Sequence, residues 1–294
     1  MMAAPRFDYV APTTVEEAIR VLADGGSGTR IMAGGTDLLV RIRHRMVSPQ
    51  RIVSLKRISG LEAIVFDKKK GLTIGATALL ADVAAHPQIR RHYPTVAQAA
   101  GGTANVQVRN MGTVVGNLCN ASPSADNAPT LMAMGASVNI AGPGASRSLP
   151  LDQFFKGPGI TALEKGEIVT SVFVPLPPAG SGTAYLSLSQ RGKLDCSAVG
   201  VGTMVVLKKD RCIDARLVVG ACAPIPMRAP KVEKQLIGKK MSDALIRRVA
   251  KTASQETTPI DDLRASAAYR WKMVTVLTIR TLIDARKMAF ARQR

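Results

Sequence analysis

Apolar and polar positions along this chain change period several times, which points to mixed helices and strands. Over residues 13–22, Val15, Ala18, Ile19 and Leu22 fall on one helical face, behind a Thr14–Glu17 pair spaced as a capping box. Gly25-Gly26 ends that helix. Short apolar runs at 30–33, 51–55, 61–66 and 72–75 predict strands, and helices are expected at 79–86, 95–100 and 126–135. Strands follow at 137–141 and 167–174. The proline- and glycine-rich stretch 175–182 reads as a linker. Beyond it, strands at 184–189, 199–207 and 213–221 predict a small antiparallel sheet, followed by helices at 231–237, 243–253 and 266–290. In the last helix Val274, Leu277, Ile279 and Leu282 are expected inward and Arg280, Arg286, Lys287 and Arg292 outward. That basic face reads as solvated surface, with contact to an acidic partner as the other reading. The order is α+β, without the regular alternation of a doubly wound sheet. At 294 residues two domains are expected, 1–178 and 179–294.

Two glycine-centred segments interrupt the pattern: Ile31-Met32-Ala33-Gly34-Gly35-Thr36-Asp37 and Gly112-Thr113-Val114-Val115-Gly116-Asn117. Where side chains are missing, backbone can approach a ligand closely and aim several N–H groups at one anion. A pair of such turns suggests a dinucleotide pyrophosphate held by main-chain donors. The first segment is neither a Rossmann fingerprint nor a Walker loop, because the G-x-G-x-x-G spacing and the Gly-Lys-Ser/Thr ending are absent. Alone it is equally well read as a structural turn. The second runs from Val108-Arg109-Asn110-Met111 into Ala121-Ser122-Pro123-Ser124-Ala125-Asp126. Its glycines, Thr113 and Asn117 would surround phosphate and ribityl oxygens, and Asp126 would accept from sugar hydroxyls. Asp126 also reads as the N-cap of the helix that follows, and the two roles are compatible.

Composition narrows the classes. Hydrophobic residues are 46%, enough for real cores, whereas aromatics are 4%, too few for a nucleic-acid stacking surface. The net charge of +19 is compatible with an anionic partner, but the basic residues are dispersed and accompany no helix-turn-helix or zinc-finger spacing. Acidic partner subunits or a phosphate-rich ligand explain the excess at least as well. No apolar run of about 18 residues occurs and residues 1–10 have no secretory character, so a cytoplasmic chain without membrane insertion is expected. Cys119, Cys196, Cys212 and Cys222 form no C-x-x-C pair, and His44, His86 and His92 lack metal-ligand spacing. No resident metal is expected, and most of the thiols are expected to be buried.

Taken in order, these strings resemble the FAD-binding medium subunit of the molybdenum hydroxylases, the family of xanthine dehydrogenase, carbon monoxide dehydrogenase and 4-hydroxybenzoyl-CoA reductase. The resemblance starts at Phe7-Asp8-Tyr9 and Pro12-Thr13-Thr14 and takes in both glycine segments and Ala121-Ser122-Pro123. It continues through Gly166-Glu167-Ile168-Val169 to Ala265-Ser266-Ala267-Ala268-Tyr269-Arg270. It implies a two-lobed, vanillyl-alcohol-oxidase-like (PCMH-type) FAD-binding domain and a small C-terminal sheet-and-helix domain. By position, Arg30, Ile31, Met32, Ala33, Gly34, Gly35, Thr36, Asp37 and Leu38 would wrap the FAD pyrophosphate. Ala104, Val108, Gly112, Thr113, Gly116 and Asn117 would form the opposite wall, Asp126 would hold a cofactor hydroxyl, and Ile168 and Val169 would lie near the cofactor. No catalytic side chain is required, since the flavin carries the redox chemistry. The resemblance further implies a large molybdenum–pterin subunit, a small subunit with [2Fe-2S] clusters, an arrangement as a dimer of heterotrimers, and an external electron acceptor.

The chain departs from the family pattern in places. Val115 stands where a glycine is usual, and Ser187 stands where a lysine often lies after the linker; Lys193 reads first as a surface lysine, with a substitute for that contact as the other reading. The cysteine-rich insertion of the 4-hydroxybenzoyl-CoA reductase branch is missing, so its extra cluster is not expected. The rival readings are a stand-alone flavin oxidase or reductase, for which no histidine lies in a recognisable attachment motif, and a basic nucleic-acid-binding or scaffold protein with merely structural glycine turns.

Overall fold

The structure, a computed structural model, describes residues 5–192 and 195–293, and Lys193 lies outside them. The chain forms a small parallel lobe, an antiparallel lobe, and a C-terminal sheet backed by helices. In the first lobe, β1 (Asp8–Val10), α1 (Val15–Asp24), β2 (Thr29–Met32), α2 (Leu38–Arg43) and β3 (Arg51–Ser54) build a three-stranded sheet of order β1-β3-β2. Both strand pairs are parallel. Thr14 caps α1 as expected, its side chain accepting from the Glu17 amide. The return bond of the capping box shifts by one residue: Glu17 accepts from the amide of Thr13, not Thr14, at 2.9 Å.

The second lobe is the five-stranded antiparallel sheet β4-β5-β10-β6-β7. It uses β4 (Ile64–Asp67), β5 (Gly71–Gly75), β6 (Ser137–Ala141), β7 (Ser146–Pro150) and β10 (Ile168–Pro175), with the small hairpin β8 (Phe155–Gly157) and β9 (Ile160–Thr161) beside it. Its helices are α3 (Leu80–Ala85), α4 (Pro87–His92), α5 (Pro94–Gly102), α6 (Val106–Arg109), α7 (Val114–Cys119), α8 (Asn127–Ala133) and α9 (Leu151–Phe154). Leu72, Ile74, Val138, Ile140 and Val172 are buried under these helices.

After Pro175 the chain crosses to β11 (Ser181–Leu188) through a turn in which Gly180 has φ +72°. The expected linker is therefore shorter than its composition suggests, since Ser181 and Gly182 already belong to a strand. β11, β12 (Val199–Lys208), β13 (Arg211–Gly220) and β14 (Met227–Arg228) form an antiparallel sheet in chain order. One face is covered by α10 (Pro230–Leu236), α11 (Asp243–Gln255) and α12 (Ala267–Ala291) around Val201, Leu217, Val249 and Leu282. The other face sends Met204, Val206 and Val218 into the core of the antiparallel lobe. This explains why β12 is buried along nearly its whole length instead of alternating. At Gly202 a Cβ would lie 2.5 Å from the Pro129 carbonyl oxygen, so the sheet meets the backbone of α8 directly.

On α12, Val274, Leu277 and Leu282 are buried as predicted and Ile279 is half-buried. Arg286 departs from the expectation. It is 18% exposed and bonds Asp243 at 2.7 Å and the Met241 carbonyl at 2.7 Å. Its guanidinium ties α12 to the start of α11 instead of decorating the surface.

Candidate cofactor site

The glycine segment 33–37 lies in the loop between β2 and α2. Gly35 adopts φ +75°, a conformation open to glycine at no steric cost. At Gly34 the two lobes approach closely. A Cβ there would stand 2.2 Å from the Met111 carbonyl oxygen and 2.7 Å from the Gly112 Cα. The two glycine segments thus pack backbone against backbone.

The second segment is not the open loop that its composition suggests. Gly112 precedes α7, Thr113 is its N-cap, and Gly116 and Asn117 are inside it. The Gly116 amide bonds the Thr113 hydroxyl at 2.9 Å, and the Asn117 amide bonds the Thr113 carbonyl at 3.0 Å. Those amides are therefore engaged within the helix. The donors left free of intrahelical partners are those of its first turn, Val114 and Val115. The Asn117 side chain is fixed through Oδ1, which accepts from Asn127 Nδ2 at 3.0 Å.

Between the lobes lies a cavity of about 600 Å³, within the roughly 300–1,000 Å³ usual for small-molecule and cofactor sites. The residues that the resemblance assigns to the cofactor all line it: 30–38 from the first lobe; Ala104, Val108, Gly112, Thr113, Gly116 and Asn117; Asp126; and Ile168 and Val169. Ala104 takes a left-handed φ of +49°, and Arg109 Nη1 holds its carbonyl at 2.5 Å and that of Thr103 at 3.2 Å. Ile168 and Val169 open β10 next to Glu167, whose carboxylate receives both Nε and Nη2 of Arg147 at 2.7 Å and the Glu164 amide at 2.7 Å. That clamp sets where the strand enters the cavity wall and holds the Glu167 carboxyl below the usual range, led by the Arg147 hydrogen bonds.

Asp126 corrects one expectation. It occupies the N-cap position of α8, but in helical geometry and with no side-chain capping bond. Its Oδ1 instead accepts from the Tyr185 hydroxyl at 2.7 Å and the Ser197 hydroxyl at 2.6 Å, both from the C-terminal sheet region. Sequence reasoning missed several further lining residues, including Thr29, Thr103, Ser122, Leu163, Asp195 and Cys196. Ser122 lay inside a quoted motif. Asp195 and Cys196 had no local signal, because a loop from another domain brings them there. Of the cysteines, Cys212 and Cys222 are buried, Cys119 is half-buried and Cys196 is exposed. Ser187 lies on the wall of a neighbouring cavity instead. Among the described residues, no group of three His, Cys, Asp or Glu could hold a metal ion.

Comparison with known proteins settles the kind of site. Residues 5–177 match the family model of the FAD binding domain in molybdopterin dehydrogenase, and residues 184–285 match the CO dehydrogenase flavoprotein C-terminal domain. The chain belongs to the molybdopterin dehydrogenase FAD-binding family. It is 34% identical to the glyceraldehyde dehydrogenase medium chain of Sulfolobus acidocaldarius, over 95% of this chain and 98% of that one. Carbon monoxide dehydrogenase from Hydrogenophaga pseudoflava, solved without the Mo-pyranopterin moiety of its molybdenum cofactor, superposes with a TM-score of 0.93 at 31% identity, covering 99% of both chains. Quinoline 2-oxidoreductase from Pseudomonas putida 86 superposes at 0.91 with 29% identity, over 98% of this chain and 99% of that one. As a member of this family the chain is the FAD-binding subunit of a molybdenum hydroxylase-type oxidoreductase. The cleft fits the cofactor on its own terms, because the 33–37 loop and the N-terminal turn of α7 both line a cavity of cofactor size, with Gly34 packed directly on the Met111–Gly112 backbone.

Proposed function

We propose that this chain is an electron-transfer flavoprotein subunit, receiving electrons from [2Fe-2S] clusters of a small partner and delivering them to an external acceptor. A large molybdenum–pterin partner would transform the substrate, in a cytoplasmic dimer of heterotrimers. FAD, when bound, supplies the one- and two-electron exchange. The chain's own residues bind, orient and shield. The amides of 33–37 and the first-turn amides of α7 would face the pyrophosphate. Asn117, with Oδ1 held by Asn127, would offer its Nδ2 hydrogens to the cleft. Asp126 would accept from a cofactor hydroxyl, and Ile168 and Val169 would exclude water. Residues 1–178 would serve as the cofactor domain and 179–294 as the domain that completes the cleft.

The observation that carries this reading is a cavity lined by both glycine segments, which also touch backbone to backbone at Gly34. The test is release of flavin by denaturing the fully loaded complex. One FAD per chain is expected, together with iron and molybdenum in co-purifying subunits. A fully loaded complex without stoichiometric FAD would overturn the reading. FAD without iron or molybdenum partners would leave a stand-alone flavoenzyme instead.

A further inference from the structure

Asp126 stands at a junction that the family motifs do not explain. It lines the cofactor cleft and also a second cavity of about 620 Å³, whose wall includes Tyr185, Ser187 and Ser197. Its backbone belongs to the cofactor domain, immediately before α8. The hydroxyls that grip it come from β11 and from the loop before β12, and both Tyr185 and Ser197 are buried. Gln98 of α5 in turn donates to the Tyr185 carbonyl at 3.1 Å, fixing that strand from the other side. The C-terminal sheet therefore has a direct hold on a carboxyl of the cleft.

Resting on the FAD reading above, we propose that Tyr185 and Ser197 are positioning residues for the cofactor, acting through Asp126 by fixing how its carboxyl is presented to the cleft. A carboxyl with one oxygen held by two hydroxyl donors cannot rotate freely, so its presentation to a ligand hydroxyl in the cleft would be set by those donors. The same donors favour the ionised form. Burial pushes the Asp126 carboxyl above the ordinary range, and the Ser197, Tyr185 and Ser187 hydroxyls oppose that push. The groups around it leave Tyr185 as its main titratable neighbour, and burial holds that phenol protonated well beyond neutral pH. Asp195, on the walls of both cavities, is paired with Arg191 at 2.6 Å. Arg90 of α4, on the second cavity, is turned to the Ala84 carbonyl at 2.9 Å. Cys119 lines the cleft, and burial pushes its thiol up to about 12. The exposed Cys196 follows Asp195 on the same wall.

The experiment uses the full chain stripped of flavin, with FAD binding followed by fluorescence quenching across the acid-to-neutral range. Asp37, the other cleft carboxyl that burial pushes up, is first replaced by Asn in every variant so that it contributes no break. In that background affinity should fall on the acid side as Asp126 takes up a proton, and Asp126→Asn should abolish that break. Tyr185→Phe and Ser197→Ala remove a donor to the ionised form. Each should move the break to higher pH and weaken binding at neutral pH by about tenfold, whereas Ser197→Thr, which keeps the hydroxyl, should leave the break in place. A role in packing alone would lower the melting temperature without moving the break. Ser197→Ala, a small truncation, keeps the test open if Tyr185→Phe fails to fold. A break unmoved in the folded donor-loss variants, or persisting in Asp126→Asn, would overturn this inference. A wild-type chain that takes up no FAD at any pH would instead overturn the FAD reading itself.

Discussion

Gly34→Ala places one methyl group where the two lobes touch. Its carbon would lie 2.2 Å from the Met111 carbonyl oxygen, 2.7 Å from the Gly112 Cα and 2.9 Å from the Met111 carbonyl carbon. Carbon and oxygen at van der Waals contact need roughly 1 Å more than that shortest distance, and the obstacle is backbone, which cannot swing aside as a side-chain tip would. The first glycine segment must therefore retreat from the second. Overpacking costs about 1–3 kcal/mol, and with backbone on both sides the upper end is expected, a fall in melting temperature of about 5–10 °C. On the proposed placement of the cofactor, retreat on that scale would also spoil the amide geometry toward its pyrophosphate. Hydrogen bonds to charged groups contribute about 1.5–3 kcal/mol each, so FAD affinity should fall about a hundredfold. Differential scanning fluorimetry with and without FAD, together with a fluorescence titration, reads both effects. The control is Gly102→Ala at the end of α5, where an added Cβ meets nothing within 4 Å. It should be neutral or stabilise by about 0.5 kcal/mol, by restricting the unfolded chain. If Gly34→Ala binds FAD like the wild type and melts alongside Gly102→Ala, the contact between the two segments does not shape the cofactor site.

Saturating wild-type apoprotein with FAD at about 100 times its dissociation constant should add about 2.7 kcal/mol of stability, a rise of about 5–10 °C, and Gly34→Ala should lose most of it. Glu167→Gln weakens the clamp formed by Arg147 and the Glu164 amide on a side chain only 9% exposed. Chemical denaturation should show a loss of about 1–3 kcal/mol, with a several-fold weaker FAD titration as the Ile168–Val169 wall loosens. Asp262→Ala strips Arg270, 2% exposed, of the carboxylate 2.7 Å away, and should cost about 3 kcal/mol by leaving a buried charge held by carbonyls alone. For the wild type, burial pushes the Asp262 carboxyl up, but the Arg264 and Ala265 amides and Arg270 outweigh it and hold it at about 2. Its contribution, reduced by solvent screening at this exposed carboxyl, is fully present above the unfolded value of 3.8 and is lost as pH falls toward about 2, so the variant's acid-denaturation curve should be flatter across that window.

Elements with a clean period or a strong stop signal were legible in the sequence. The α1 capping pair, the 137–141 strand and the long α12 all lie within a residue or two of their predicted bounds. What escaped were short elements whose local composition says something else. α2 and α7 are six-residue helices rich in β-branched residues or glycine, below the length at which a helical period can be read. The stretch 146–161 divides into β7, α9, β8 and β9, too brief for any pattern. The two glycine segments were visible because glycines and small polar residues mark close backbone approach, whereas Arg30, Leu38, Ala104, Val108, Ile168 and Val169 carried no such mark and came only from the family resemblance. Asp195 and Cys196 were invisible because their place depends on how a later domain docks.

That docking is why the C-terminal domain belongs to the argument about the cleft. Arg270 of α12 sends Nη1 to the carbonyls of Ala198 and Ala221, at 2.7 and 2.8 Å, and Nη2 to Asp262. Ala221 takes a left-handed φ of +63°, and its amide bonds the Pro123 carbonyl at 2.7 Å, three residues before Asp126. Ala198 follows Ser197, which bonds Asp126 itself. One buried guanidinium thus fixes, through two carbonyls, both approaches to the same stretch of cleft wall. If the lock operates, Arg270→Met should weaken FAD binding although the residue lies outside the cavity, and Asp262→Ala should do so less, since it spares both carbonyl bonds. Equal FAD affinity in wild type and folded Arg270→Met would show that the cofactor domain holds its ligand without help from the domain behind it.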